Sequence, residues 1–306
     1  MKHLVSAFDL TVNEVWDILS LAGRLKREKE VGVPHRLLEG KVLGMIFAKS
    51  STRTRVSFET GMVQLGGHAI FLNSNDIQLG RGESIADTAR VLSRYVDGIM
   101  IRTFSHQDVV DLAAYGTLPV INGLTDLMHP CQALADIFTL EEIFGRLDGL
   151  KLAYVGDGNN VAHSLLHVCA KLGIHVSVAS PEGYACDPEM VAQARQDAEK
   201  SGAHIHITTD PAEAVTDARA VYTDTWVSMG QEADKAERVR IFEPYRVDAK
   251  LFSLAAPDAV FLHCLPAYRG YEVTEEVMDG SRSVVFQEAE NRLHVQKAIM
   301  TMLMGD

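Results

Sequence analysis

Along the chain, short runs of apolar and β-branched residues alternate with longer segments whose apolar positions recur every three to four residues. The first pattern predicts strands and the second amphipathic helices. Strands are predicted at Val42–Lys49, His68–Asn73, Gly98–Thr103 and Pro119–Gly123, then at Lys151–Asp157, His175–Ser180, His204–Thr209, Ala220–Trp226 and Ala259–Cys264. Helical segments lie between them, such as Ser84–Tyr95, where Ser84 is a fitting N-cap and Ile85, Ala89 and Leu92 share one face. Regular alternation of strand and helix implies parallel sheets covered on both sides.

A break follows the helical pattern Pro130–Phe144. The stretch GRLDG (Gly145–Gly149) is rich in breakers, and the strand at Lys151 begins a second series. The expected fold is α/β with two domains, 1–146 and 147–287, each a mostly parallel sheet flanked by helices. The last apolar-periodic stretch, Glu288–Met304, predicts a C-terminal helix, within 288–306, that returns to the first domain. A length of 306 residues suits two domains of ordinary size.

Composition narrows the function classes. Hydrophobic residues at 47% and charged residues at 23% are ordinary for a soluble globular protein. No apolar run approaches the roughly 20 residues that cross a bilayer. The N-terminal MKHLVSAFDLTVNEVWDIL carries acids where a signal peptide has its apolar core, so a cytoplasmic location with no membrane partner is expected. The formal net charge of −12 argues against nucleic acid as a partner. It leaves room for a small anion held by a few converging arginines. Cys131, Cys169, Cys186 and Cys264 show no CxxC spacing and read as reduced thiols.

Ligands of open α/β sheets bind at the carboxyl ends of strands, and there the reactive residues of this chain gather. The run 47-FAKSSTRTRVSFE-59 follows a strand and opens a helix. A helix N-terminus offers unpaired N–H groups to a phosphate, Ser51, Thr52 and Thr54 add hydroxyls, and Arg53 can fork onto phosphate oxygens. The plainer alternative is a capped basic helix start. The GxxxxGK[ST] pattern of a P-loop is absent. Arg102 closes the third strand, as a ligand or as a surface ion pair. His129, at the next strand end, can donate to a polarised carbonyl oxygen. Pro130 suits a first helical turn, and Gln132 offers an amide to the same ligand. A packed core histidine with a capping glutamine is the alternative; metal ligation lacks a partner at ligand spacing nearby.

In the second half, Gly156-Asp157-Gly158-Asn159-Asn160-Val161 is not a dinucleotide fingerprint, because Val161 stands at the third glycine position. Asn159 and Asn160 could instead hold a carboxylate or an amine. The loop Asp224–Gly230 sets one carboxylate near one hydroxyl, a match for an α-ammonium, with loop N–H groups for an α-carboxylate. His263 and Cys264 end a predicted strand side by side and so should point to opposite faces, which argues against a Cys–His catalytic pair. His163 with His167, and His204 with His206, lack a carboxylate at motif spacing and read as structural or surface histidines.

Taken together, STRTR at 51–55, HPCQ at 129–132, DTWVSMG at 224–230 and HCLPA at 263–267 resemble the carbamoyltransferases, on their ornithine branch. The resemblance runs end to end, through GDGNNVAHS at 156–164 and FQEAENRLHVQKA at 286–298. It implies transfer of the carbamoyl group of carbamoyl phosphate to the δ-amine of L-ornithine, without metal or organic cofactor, in a homotrimer with shared active sites. It also implies residue roles. Ser51, Thr52, Arg53 and Thr54 hold the phosphate, and Arg102 spans phosphate and carbonyl. His129, Pro130, Cys131, Gln132 and Arg292 serve the carbamoyl phosphate site, and Gln78 reaches into a neighbouring subunit. Asn160, Asp224, Ser228 and Met229 bind the amino-acid end of ornithine, while Cys264 and Leu265 line the reacting end. Arg53, Arg102, His129 and Cys264 are the expected catalytic residues. Arg81 stands where the aspartate branch has a lysine, and is either its substitute or solvated. Other acceptors (N-acylornithine, putrescine or aspartate) are the alternatives within the class, and a catalytically silent binder is the alternative outside it.

Overall fold

The apolar runs form two all-parallel sheets, and the amphipathic segments form helices around them. The computed structural model of the protein describes residues 1–228, 230 and 232–305, without the side chains at 80, 81 and 232. Met229 and the side chain of Arg81 therefore lie outside the described residues. The chain divides into two compact units, one of Met1–Phe138 with Glu290–Asp306 and one of Thr139–Ala289.

The sheet of the first unit contains β1 (Val42–Phe47), β2 (His68–Asn73), β3 (Gly98–Arg102) and β4 (Val120–Leu124), in the order β2-β1-β3-β4. Its helices are α1 (Val12–Glu30), α2 (Thr52–Gln64), α3 (Ile85–Leu92), α4 (His106–Tyr115) and the start of α5 (Pro130–Phe144). β1, β3 and β4 are apolar along their length because both faces are covered, and Ile46, Ile99, Ile101 and Val120 pack with Ala89, Val109 and Leu112. β2 is the sheet edge and is correspondingly half-exposed. Ser84 caps α3, its hydroxyl accepting from Asp87 N at 3.1 Å. Strand order reverses between β1 and β3, whose last residues Phe47 and Arg102 are register partners. That reversal is the switch point where open sheets of this kind bind ligands.

The second unit repeats the scheme with β5 (Lys151–Val155), β6 (His175–Ala179), β7 (Ile205–Thr208), β8 (Ala220–Thr223) and β9 (Val260–Leu262), ordered β7-β6-β5-β8-β9. Its helices are α6 (Asn160–Lys171), α7 (Pro188–Ser201), α8 (Pro211–Val215), α9 (Lys235–Phe242), α10 (Ala249–Phe252) and α11 (Glu275–Met278). Ala153, Val155, Val221 and Phe261 form one core with Phe252 and Val277. Tyr154 and Tyr222, register partners on the other face, stack with ring centroids 5.7 Å apart. The switch point here lies between β5 and β8, where Val155 pairs with Thr223.

The last helix, α12 (Val285–Met304), begins one turn before its predicted start. From Glu290 onward it belongs to the first unit, burying Val295, Ala298, Ile299 and Met300. Polar ties fix it there. Lys26 Nζ donates to Asn291 Oδ1 at 2.8 Å, and the buried Lys297 Nζ lies 3.0 Å from both His35 Nε2 and Gln64 Oε1. Burial drives the Lys297 ammonium down to about 8.

Several strands stop short of their predicted ends. β1 ends at Phe47 because the next two amides, Ala48 N and Lys49 N, both turn onto the Arg102 carbonyl. β8 ends before Asp224, where the chain turns toward the site described below.

Candidate active site

In the first unit the run after β1 is both a capped helix start and an open cradle. Ser51 is the N-cap of α2, its hydroxyl oxygen accepting from Thr54 N at 3.2 Å. The first turn of α2 contains no acidic residue, so its positive end is not neutralised from within. Thr54 is fully buried, and its hydroxyl oxygen accepts from Ser51 Oγ at 3.0 Å and from Arg292 Nη2 at 2.8 Å. Arg292, on α12, is thereby fixed to the α2 start. Thr52 and Arg53 complete the first turn.

His129 is buried immediately before α5. Burial pushes its imidazole well below the ordinary range, and Arg292, Arg102 and Arg53 push it further. The four side chains thus converge from α12, the end of β3, α2 and the end of the β4 loop. A neutral imidazole beside three guanidiniums keeps its N–H donor at neutral pH without adding a fourth cation. Pro130 opens α5 and has no N–H to leave unpaired. Gln132 is fully buried, and its Nε2 donates to Asp136 Oδ1 at 2.7 Å, which fixes which end of the amide faces away from Asp136. The Cys131 thiol points to the Asn122 carbonyl at 3.5 Å, and burial raises it to about 12. Gln78 stands exposed on the 3₁₀ turn Gln78–Arg81 after β2.

Sequence reasoning missed the brace beneath these residues. Lys49 is buried, pairs with the Asp126 carboxylate, and sets its ammonium 4.2 Å from the Phe104 ring centroid. The ends of β1, β3 and β4 are tied together by that one side chain. A lysine directly after an apolar strand was the available signal.

Three buried histidines make the fold acid-sensitive in a predictable window. Burial lowers His167 to about 4 and His294 to about 3, and His129 also lies well below its ordinary value. Each depressed value means that the unfolded chain binds the proton more readily. Their contribution is complete above the unfolded pKa of about 6.5 and is lost as pH falls toward the folded values. Urea midpoints are therefore expected to drop from about pH 7 to pH 5, on the order of 1 kcal/mol per pH unit for each histidine. A flat profile over that range would contradict neutral burial.

In the second unit the loops after β5 and β8 are joined directly. Asn159 caps α6, its Oδ1 accepting from Val161 N at 2.9 Å, Ala162 N at 3.2 Å and Tyr154 OH at 3.1 Å. Its Nδ2 donates to Asp224 Oδ2 at 2.8 Å. The expectation that Asn159 and Asn160 both face a ligand is thus revised, since the Asn159 amide is committed at both ends. Asn160, the first residue of α6, is half-buried. Asp224 is buried, and its Oδ1 accepts from Cys264 Sγ at 3.0 Å and from Thr225 N at 2.7 Å. Ser228 is half-buried further along that loop.

Two braces hold this region. Arg238 pairs with the Asp157 carboxylate, and its Nε donates to Trp226 O at 2.5 Å. Gly158 passes so close to residues 185 and 186 that a Cβ would lie 2.1 Å from Cys186 N. The glycine of GDGNN therefore serves a chain crossing inside the protein.

The expected opposition of His263 and Cys264 rested on strand alternation, which does not apply because β9 ends at Leu262, and a His263 ring nitrogen lies within 4.8 Å of Cys264 Sγ. His263 Nδ1 accepts from Leu265 N at 2.9 Å, so its proton sits on Nε2, 3.2 Å from Glu272 Oε1. Leu265 adopts a left-handed φ of 59°, costly for a side chain of its size, and the bond to His263 holds it there. Asp224, His263 and Cys264 bring ligand-type atoms within 4.8 Å of one another. With both imidazole nitrogens engaged, that group does not present itself as a metal site.

Comparison with known proteins gives the family. A family model described as aspartate/ornithine carbamoyltransferase, carbamoyl-P binding domain, matches residues 2–142, and one described as the Asp/Orn binding domain matches residues 148–303. The ornithine carbamoyltransferase of Symbiobacterium thermophilum is 59% identical over 99% of this chain and 98% of its own length. That of Thermococcus kodakarensis is 58% identical over 97% and 94%. The solved ornithine carbamoyltransferase from Pyrococcus furiosus superimposes with a TM-score of 0.97 at 56% identity, covering 99% of this chain and 97% of that one. The chain belongs to the aspartate/ornithine carbamoyltransferase family.

Proposed function

We propose that this protein transfers the carbamoyl group of carbamoyl phosphate to the δ-amine of L-ornithine, releasing L-citrulline and phosphate. The observation that carries the donor half is the buried His129 in the field of Arg53, Arg102 and Arg292, with Arg292 bonded to Thr54 at the α2 N-terminus. Full-length likeness to ornithine carbamoyltransferases supports the acceptor half.

In this reading Ser51, Thr52, Arg53 and Thr54 hold the phosphate, and Gln132 and His129 hold the carbamoyl group. The δ-amine attacks the carbamoyl carbon, the C–O bond to phosphate breaks, and the amine loses a proton as citrulline forms. Negative charge grows on the carbonyl oxygen and on the departing phosphate. Arg53, Arg102, Thr54 and His129 are donors for those positions, and one preorganised donor is typically worth about 3–4 kcal/mol. His129 contributes as a neutral donor, so the positive charge for the oxyanion comes from the arginines. Asp224 takes the α-ammonium, Asn160, Ser228 and Met229 the rest of the amino-acid end, and Cys264 and Leu265 flank the δ-amine.

A free alkyl amine has a pKa of about 10 and attacks only when unprotonated. The rate is therefore expected to rise toward alkaline pH, with citrulline and phosphate appearing in equal amounts throughout. Phosphate released without citrulline would indicate hydrolysis and sink the transfer reading.

A cytoplasmic location and a homotrimer in which Gln78 serves a neighbouring subunit complete the proposal. Family membership supports the trimer. Among the described residues no helix is long and apolar enough to cross a membrane.

A further inference from the structure

Asn159 does more than capping requires. An N-cap needs only a side-chain oxygen, which aspartate or serine supplies equally well. Asparagine adds a donor, and here that donor is placed on Asp224 Oδ2 at 2.8 Å. The other carboxylate oxygen is held by Cys264 Sγ and Thr225 N. Both oxygens of a buried carboxylate are thus fixed at the β5–β8 switch point. The orientation of the amide is itself set by Tyr154, whose hydroxyl donates to Asn159 Oδ1 at 3.1 Å. That phenol is buried, and burial together with Asp224 and Asp157 keeps it protonated and hence a donor.

We infer that Asn159 is a positioning residue for the acceptor amino acid: its amide, aligned by Tyr154, holds the Asp224 carboxylate in the orientation that receives the α-ammonium group. The inference rests on the reading of Asp224 as an ornithine ligand. It makes Asn159 act through Asp224, without touching substrate.

The capping and positioning roles can be separated. N159D keeps a capping oxygen for Val161 N and Ala162 N but replaces the donor facing Asp224 by a second carboxylate. N159S keeps a cap and has neither donor nor charge. Steady-state kinetics of both variants should show the KM for ornithine raised about tenfold or more near pH 8, as expected for loss of a hydrogen bond to a charged group. The KM for carbamoyl phosphate should stay within about twofold.

A pH series gives a readout that a purely structural role would not move. Two carboxylates in contact share a proton more readily than either alone, and the protonated carboxyl introduced by N159D can donate to Asp224 as the amide did. The N159D defect is therefore expected to shrink toward about pH 6, whereas the N159S defect persists. The pair also contacts Tyr154 and Cys264, and Tyr154 in turn senses Cys186 and Asp157, the latter paired with Arg238, all of them common to both variants. Y154F should give a smaller rise in the same constant. Ornithine KM values within about twofold of wild type in both N159 variants would overturn the inference, as would equal losses in both substrates' constants accompanied by a fall in melting temperature. Wild-type protein that makes no citrulline would remove the ornithine reading itself, a result distinguishable from an active wild type with unaffected variants.

Discussion

Replacing Arg53 by lysine is expected to lower the rate of carbamoyl transfer about 10²–10³-fold, with the protein still folded. The loss comes from geometry, since a charge remains. Arg53 stands in the first turn of α2, directly between the capping residue Ser51 and the buried Thr54. A planar guanidinium can bond two phosphate oxygens at once, and an ammonium acts as a point charge on a flexible stem. Donors aimed at charge that develops in the transition state are worth about 3–4 kcal/mol each, which sets the size of the effect. The KM for ornithine should change little, because Asp224 and its partners belong to the other unit. R53K retaining more than about a tenth of the wild-type rate, a loss under about 1.4 kcal/mol, would remove Arg53 from this role.

Asp224→Asn should fail in the complementary way. The introduced amide has nearly the same shape but a single oxygen, which can accept from Cys264 Sγ and Thr225 N on one side or from Asn159 Nδ2 on the other, not from both. What it lacks is the negative charge that meets an α-ammonium. Losing one partner of a buried charge pair costs about 2–5 kcal/mol, so kcat/KM for ornithine should fall about 10²-fold or more. The KM for carbamoyl phosphate should hold within about twofold of wild type. Equal losses for both substrates in steady-state kinetics would mean a general disturbance of the fold and would contradict the assignment.

Much of this organisation could be read from the chain, and what could not has physical causes. Parallel strands buried on both faces are nearly continuous apolar runs, so β1, β3, β5 and β6 stood out. Short β9 was drawn too long, because the predicted strand ran on through His263 and Cys264 although the ladder stops at Leu262. Motif residues at strand ends were visible, yet their partnerships were not. Asn159 and Asp224 lie 65 positions apart and meet only because β5 and β8 are neighbours, a matter of strand order. Thr54 and Arg292 are 238 positions apart, and only the return of α12 joins them. The neutral state of His129 follows first from its burial and then from three arginines contributed by separate elements, so no local pattern could announce it. Gly158 looked like part of a ligand loop, whereas its lack of a side chain admits the backbone at residues 185 and 186.

The most direct test is carbamoyl transfer from carbamoyl phosphate with ornithine, aspartate, putrescine and N-acetylornithine offered in parallel, each product identified by mass. Citrulline is expected from ornithine, with no comparable product from the other three. Transfer to a different acceptor would leave the phosphate cradle standing and overturn the assignment of Asp224 and Cys264, and no transfer to any of the four would contradict the account as a whole.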